Sequence, residues 1–204
     1  MIVLDIGALI LMGGKNSRMN GNVKGLLKIK NSTFLEKIQE TLNDFSSIYL
    51  SINDKFSKEQ KQNFENMGFK IIEDIYKEIG PLGGIYSSLL NCKEEYLFIT
   101  ACDMPFITKN SIEVLCNKVD KNTDGVVFYD KNNKLYPLGA IYSKNVLPII
   151  EEMIEKKYYK LSYLIEKSNF VKINIEKTDI PLKVLSNINT LQEYDLFINN
   201  ESLF

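Results

Sequence analysis

Hydrophobic and polar positions alternate along this chain in two periods, and the alternation of the two is the first structural signal. A continuous apolar run from Ile2 to Met12, interrupted by Asp5, predicts a first strand buried on both faces. Phe34, Leu35, Ile38 and Leu42 recur at helical spacing, and Ile48 to Ile52 follows as a second strand. Ser57 with Gln60 forms a capping-box signature for another helix, after which Lys70 to Glu73 predicts a third strand. The turn-rich Gly80-Pro81-Leu82-Gly83-Gly84 leads into a short helix through Leu89, and Tyr96 to Ala101 is a continuous, fully buried strand. Asp103 therefore emerges at a strand's carboxyl end.

In the second half, Gly125 to Tyr129 and Leu135 to Ile141 flank the polar turn Lys131-Asn132-Asn133, which predicts a hairpin or a longer antiparallel excursion. A helix from Lys144, with Pro148 near its first turn, precedes a strand at Phe170 to Ile175, and Thr190 with Glu193 caps a terminal helix. Strands alternating with helices predict an α/β fold around a mostly parallel sheet. No internal repeat, low-complexity tract or linker interrupts the pattern, and 204 residues are expected to form one domain.

Composition narrows the chemistry. Lys+Arg 25 against Asp+Glu 26 gives a formal charge of -1, so no bulk attraction to nucleic acid or an anionic membrane exists and an anionic ligand must be caught locally. The N-terminal apolar run has no basic leader or small-residue cleavage site, and no stretch reaches the roughly 20 apolar residues of a membrane span, so a cytoplasmic protein is expected. Cys92, Cys102 and Cys116 lack paired spacing, which argues against a disulfide framework or a zinc site. The chain has His 0, which excludes Ser-His, Cys-His and His-metal mechanisms outright.

Two segments carry candidate chemistry. Adjacent Gly13 and Gly14, directly after a strand and followed by Lys15, Arg18 and Lys24, let the backbone approach a phosphate and surround it with cations. An ordinary strand-to-helix turn with solvated charges is the alternative. Neither G-x-x-x-x-G-K-[ST] nor G-x-G-x-x-G is present, which disfavours a generic ATPase or a dinucleotide-binding oxidoreductase. The second segment is Thr100-Ala101-Cys102-Asp103-Met104-Pro105-Phe106. A carboxylate at the end of a buried strand, held by a Pro-containing turn, is placed to ligate magnesium alongside phosphate oxygens. Asp103 could equally cap the following helix. Cys102, with no histidine to activate it, reads as a packing residue.

Five ordered blocks closely resemble those of the molybdenum cofactor guanylyltransferases: Gly13-Gly14-Lys15-Asn16-Ser17-Arg18-Met19 then Lys24; Gly80-Pro81-Leu82-Gly83-Gly84-Ile85; Cys102-Asp103-Met104-Pro105-Phe106; Tyr136-Pro137-Leu138-Gly139-Ala140; and Asn187-Ile188-Asn189-Thr190. The chain departs from that pattern at Met12, Asn20 and Val23, which bears on the shape of the first loop. The resemblance implies a single three-layer Rossmann-like nucleotidyltransferase domain over residues 1–204, with nucleotide bound by about 1–106 and acceptor by about 107–204. It also implies GTP as substrate, Mg2+ as cofactor and molybdopterin or its molybdenum form as acceptor. Whether the acceptor arrives free or on a cofactor-delivering or cofactor-accepting protein stays open.

Carried over by position, the resemblance sets the backbone of Leu11, Met12, Gly13 and Gly14 against GTP and assigns Arg18, Lys24 and Asp103 to catalysis. Asp103 is the implied magnesium ligand, and Asn53 and Asp74 match nucleotide-recognition positions. Asn53 and Asp74 also fit plain strand-ending turns. Gly80, Pro81, Gly83, Gly84, Asn187 and Asn189 are the acceptor-side candidates, and Asn189 alternatively completes the metal shell or precedes the Thr190 cap. A cytidylyl- or sugar-phosphate nucleotidyltransferase and a catalytically silent nucleotide sensor are the rival readings.

Overall fold

The computed structural model of the chain describes residues 5–13, 24–29, 31–190 and 192–195. The N-terminal apolar run forms β1 (Ile6–Leu11), and a 3-10 turn at Lys24–Leu26 leads to a minimal hairpin of β2 (Lys28–Ile29) and β3 (Ser32–Thr33). Thr33 then caps α1 (Phe34–Thr41): its hydroxyl accepts from the Glu36 N–H, and the Glu36 carboxylate accepts from the Thr33 N–H. β4 (Ile48–Ile52) and β5 (Lys70–Glu73) match the expected strands residue for residue. Between them α2 (Lys58–Asn66) starts at the reciprocal Ser57–Gln60 box.

The Gly80-Pro81-Leu82-Gly83-Gly84 segment corrects the turn expected there. The helix α3 (Pro81–Asn91) begins at once, with Gly80 as its N-cap at φ 68 and ψ -154, a backbone region open essentially to glycine. Pro81 sits at the first helical position, where its missing N–H is not needed. Gly83 and Gly84 are thus buried interior helix residues, Gly83 against the segment that precedes the helix and Gly84 against the sheet.

The chain continues through β6 (Tyr96–Ala101), α4 (Lys109–Cys116), β7 (Gly125–Tyr129), β8 (Leu135–Ser143), α5 (Leu147–Glu155), α6 (Leu161–Lys167) and β9 (Phe170–Asn174). The hairpin of β7 and β8 realises the expected antiparallel excursion. The helix expected after Asp103 is α4, whose bounds the sequence did not give, and α6 was not anticipated. α4 is capped by Thr108 and Ser111, a box with serine where glutamate or glutamine is usual, and α6 has no side-chain cap at all. Asp103 does not cap α4.

Seven strands form one sheet in the order β5-β4-β1-β6-β8-β7-β9. All neighbours run parallel except β8, which is antiparallel to both β6 and β7. Period-2 alternation splits the apolar strands between two cores. Ala8, Ile10 and Met12 face α1, α2 and α4, while Leu9 and Leu11 face α3, α5 and α6. This is the three-layer α/β architecture expected from the resemblance. Winding reverses between β1 and β6, so the carboxyl ends of those two strands flank a crevice of the kind in which open α/β sheets bind ligands. Among the described residues no helix is long and apolar enough to cross a membrane.

Candidate active site

The sheet order sets the candidate residues out in a row along one edge. From one side to the other come Asp74 after β5, Asn53 after β4, Gly13 after β1, Asp103 after β6, and then Tyr136 and Pro137. The last two reach this edge because antiparallel β8 brings its amino end where the other strands bring their carboxyl ends.

At the centre of the row is a polar knot. The Lys24 ammonium donates to Asp103 Oδ2 at 2.8 Å and to Asn189 Oδ1 at 2.8 Å, and Asn187 Nδ2 donates to Asp103 Oδ1 at 3.1 Å. The Lys24 and Asp103 side chains are 16% and 13% exposed, enough shelter to strengthen the pair while leaving it reachable from solvent. The main chain fixes the geometry independently: Ile188 N–H donates to the Asp103 carbonyl at 2.8 Å, and Met104 N–H to that of Ala101 at 3.0 Å. Lys24 arrives through a close approach, since a Cβ on Gly25 would stand 3.2 Å from Cys102 Cβ. Burial pushes the Cys102 thiol up to about 12, so it is a protonated packing group and no nucleophile.

On one side of the knot a cleft of about 590 Å³ is lined by Gly13, Asn53, Asp54, Asp74, Lys77 and Gly80. Asp74 is its most unusual group. Burial raises its pKa above the ordinary carboxylate value, and a 2.6 Å hydrogen bond from Ser51 Oγ to Oδ1 partly offsets that rise. Asn53 Oδ1 accepts from the Lys55 N–H in a turn-type bond, which leaves its amide NH2 as a donor. A carboxylate acceptor and an amide donor therefore share one wall. Lys77 and Asp54 pair at 2.5 Å across the cleft's rim.

On the other side a second cleft of about 480 Å³ is lined by Met104, Tyr136, Pro137, Leu185, Asn187 and Asn189. Tyr142, fully buried in β8, donates its hydroxyl to the Pro137 carbonyl at 2.7 Å and so steadies the cleft's wall.

The structure brings Lys24, Asp103, Asn187 and Asn189 together across as many as 165 residues of sequence separation. Of the nucleotide-side candidates, Gly13, Asn53 and Asp74 line the first cleft. Leu11 and Met12 are buried in the sheet, with the Leu11 carbonyl taken by Cys102 N–H and the Met12 N–H donated to Ser51. Gly80 also lies on the first cleft, away from Asn187 and Asn189 on the second, and Pro81 is exposed beside it. Gly83 and Gly84 face protein: a Cβ on them would stand 2.8 Å from the Tyr76 carbonyl and 2.5 Å from Ser51 Oγ. Gly14 and Arg18 lie outside the described residues. Ser51 escaped the sequence reading, although a lone hydroxyl in an apolar strand is a signal that could have exposed it. Asn189 bonds Lys24 through its side chain and presents its backbone N–H to the Glu193 carboxylate that closes the Thr190 cap.

Known proteins share the sequence pattern and the fold of this chain. A model of the MobA-like NTP transferase domain matches residues 8–170. A probable molybdenum cofactor guanylyltransferase of Clostridium perfringens is 35% identical over 204 residues, covering 96% of this chain and 98% of the relative. The molybdenum cofactor guanylyltransferase of Vibrio campbellii is 30% identical, covering 95% of each. Among solved structures, molybdopterin-guanine dinucleotide biosynthesis protein A from Archaeoglobus fulgidus superposes with a TM-score of 0.80 at 22% identity, over 97% of this chain and 100% of that one, a likeness of fold. With a family model spanning most of its length and relatives matched end to end, the chain belongs to the MobA-like NTP transferases and is a nucleotidyltransferase of that family.

Proposed function

We propose that the protein transfers GMP from GTP to the phosphate of molybdopterin, or of its molybdenum form, and releases pyrophosphate with Mg2+ as the supporting cation. The observation that carries this is the Lys24–Asp103–Asn187–Asn189 knot standing between two clefts on one sheet edge. In this reading the first cleft takes the nucleoside, the second takes the acceptor, and the two phosphates meet at the knot. Full-length relatives named as molybdenum cofactor guanylyltransferases support the choice of base and acceptor.

An acceptor phosphate oxygen forms a bond to the α-phosphorus of GTP, the bond from that phosphorus to the bridging oxygen breaks, and the electron pair leaves with pyrophosphate. The attacking group is already an anion, so the reaction needs no general base, which suits a chain with His 0. Catalysis then rests on alignment and on opposing the charge that builds on the leaving group. Lys24 supplies that charge, with Arg18 and the backbone around Gly13 and Gly14 assigned to the same phosphates. Asn53 NH2 suits guanine O6, and the Asp74 carboxylate suits the N1–H and 2-amino donors.

The donor set also fits a hard cation. One oxygen each of Asp103 and Asn189 sits 2.8 Å from the Lys24 ammonium, so two oxygens already converge on one positive centre. Asp103 and Asn189 would hold Mg2+, which when bound neutralises and orients phosphate oxygens.

Thermal unfolding with each of four nucleoside triphosphates and Mg2+ tests the base. GTP at a hundredfold excess over Kd should raise Tm by about 5–10 °C. Protection by CTP and none by GTP refutes the guanylyl reading. Pyrophosphate release that requires both GTP and molybdopterin then tests turnover, and binding without release refutes it in favour of a sensor.

A further inference from the structure

Ser51 combines two local anomalies. It places a hydroxyl on the apolar face of β4, beside Tyr49 and beneath α3, where it is 1% exposed and must be hydrogen-bonded to be tolerated. Its partner is Asp74 Oδ1, at 2.6 Å. The second anomaly lies directly above: Gly84 is a glycine in the interior of α3, where it is a poor helix former. A Cβ there would stand 2.5 Å from Ser51 Oγ, 2.8 Å from Leu11 Cδ2 and 3.4 Å from Asp74 Oδ1. The missing side chain at position 84 is the space that the Ser51 hydroxyl and the Asp74 carboxylate occupy.

We propose that Ser51 is a positioning residue for base recognition: held in the space left by Gly84, its hydroxyl fixes the plane of the Asp74 carboxylate, so that the cleft is selective for bases presenting two adjacent donors. This rests on the reading of Asp74 as the contact to the base. With Oδ1 tethered, rotation about the carboxylate's last bond is stopped and Oδ2 is held on the Gly13 side, 2.8 Å from where a Cβ on that residue would lie. A fixed plane can accept from guanine N1–H and the 2-amino group together. A freely turning one pairs almost as well with N1–H alone, as offered by hypoxanthine.

The experiment compares GTP with inosine triphosphate, by calorimetric titration in Mg2+ without acceptor, on the wild type, Ser51→Ala, Asp74→Ala and the double variant, with circular dichroism confirming the fold. Ser51→Ala should weaken GTP about ten-fold, the scale of a hydrogen bond to a charged group, and weaken inosine triphosphate less, so the ratio of the two narrows. Adding Ser51→Ala to Asp74→Ala should change neither affinity further. Ser51→Cys keeps the shape with a weaker donor and should fall between, which also serves if the alanine variant folds poorly. An unchanged ratio in Ser51→Ala, or effects of Ser51 and Asp74 that simply multiply, overturns the proposal. A wild type that does not prefer GTP, or that is indifferent to Asp74→Ala, overturns the base reading instead.

Discussion

Replacing Asp103 separates what the polar knot does for the fold from what it does for catalysis. Asp103→Ala deletes a 2.8 Å bond from Lys24 and a 3.1 Å bond from Asn187. Exposed ion pairs are worth about 0–1 kcal/mol, and breaking a fully buried one costs about 3–5 kcal/mol. This pair is 13% and 16% exposed, and Lys24 keeps Asn189 as a partner, so the cost falls between these limits, at about 1–2 kcal/mol. For a chain of this size that is a Tm lowered by about 2–8 °C. The turn itself should survive because Ile188 N–H still reaches the carbonyl of residue 103 and Cys102 N–H still reaches that of Leu11. The catalytic loss should be far larger, at least about 10²–10³-fold, because the carboxylate that would hold Mg2+ and that positions the Lys24 ammonium against the developing charge is removed. Asp103→Asn sharpens the contrast: its amide oxygen can still accept from Lys24, so most of the Tm should return while turnover stays lost. The assays are a thermal melt and pyrophosphate release with GTP, molybdopterin and Mg2+. Activity of Asp103→Asn within a few-fold of wild type would refute the assignment of this carboxylate.

Asp74→Asn should stabilise the protein and impair GTP binding together. Burial raises the Asp74 pKa above its ordinary 3.8, so the ionised form is disfavoured in the folded state; the group's stabilising contribution is complete below the unfolded pKa and is lost as pH rises through the folded one. The variant's Tm advantage should therefore be present at neutral pH and vanish in acid, in melts from about pH 4 to about pH 8, and an advantage that grows toward acid pH contradicts the sign. Gly125→Ala should be among the most damaging single methyl additions, since its Cβ would stand 2.2 Å from the Ile141 carbonyl and 2.4 Å from Phe170 Cε1, between paired strands that cannot part. A cost above about 3 kcal/mol should appear as insoluble expression or a Tm lowered by more than about 6 °C, and a near-native melt would show that the sheet yields there.

Elements whose signals are local were legible in the sequence, and those set by packing were not. β4 and β6 could be bounded to the residue because strands buried on both faces are nearly continuous apolar runs ended by polar turns, and β5, at the sheet's edge, because its two isoleucines stand between charged residues. α2 was legible from the Ser57–Gln60 box. The start of α4 was not legible because Ser111 stands where a glutamate would have announced the box, and α6 was missed because it has no capping side chain to announce it. The glycine pair at 83 and 84 misled for a different reason. Propensity speaks for a turn, but at Gly84 the helix must approach β4 and the Ser51 hydroxyl so closely that no side chain fits, and tertiary contact overrides local preference.

The site divides along the same line. Gly13 and Asp103 could be picked out because each follows a strand, and a parallel sheet delivers every carboxyl end to the same edge whatever the order of its strands, whereas Asn53 and Asp74, whose own signal is only that of a strand-ending turn, came from the family resemblance alone. What topology does not carry is which of those ends face one another. The order β5-β4-β1-β6 puts β6 beside β1 and β5 two strands away, yet the Asp74 carboxylate reaches back to the end of β1, its Oδ2 2.8 Å from where a Cβ on Gly13 would lie, and no local pattern encodes that order. The Asn187-Ile188-Asn189 segment, 84 residues beyond Asp103, is brought back by one main-chain bond from Ile188 to the Asp103 carbonyl, with the two asparagines pointing to opposite partners, Asp103 and Lys24. A three-residue strand-like alternation would send both side chains the same way; here the same spacing straddles a salt bridge, so each asparagine holds a different member of the pair. Losing either one should loosen Lys24 from Asp103 without breaking the fold, which makes the segment a brace for the charge pair that separates the two clefts.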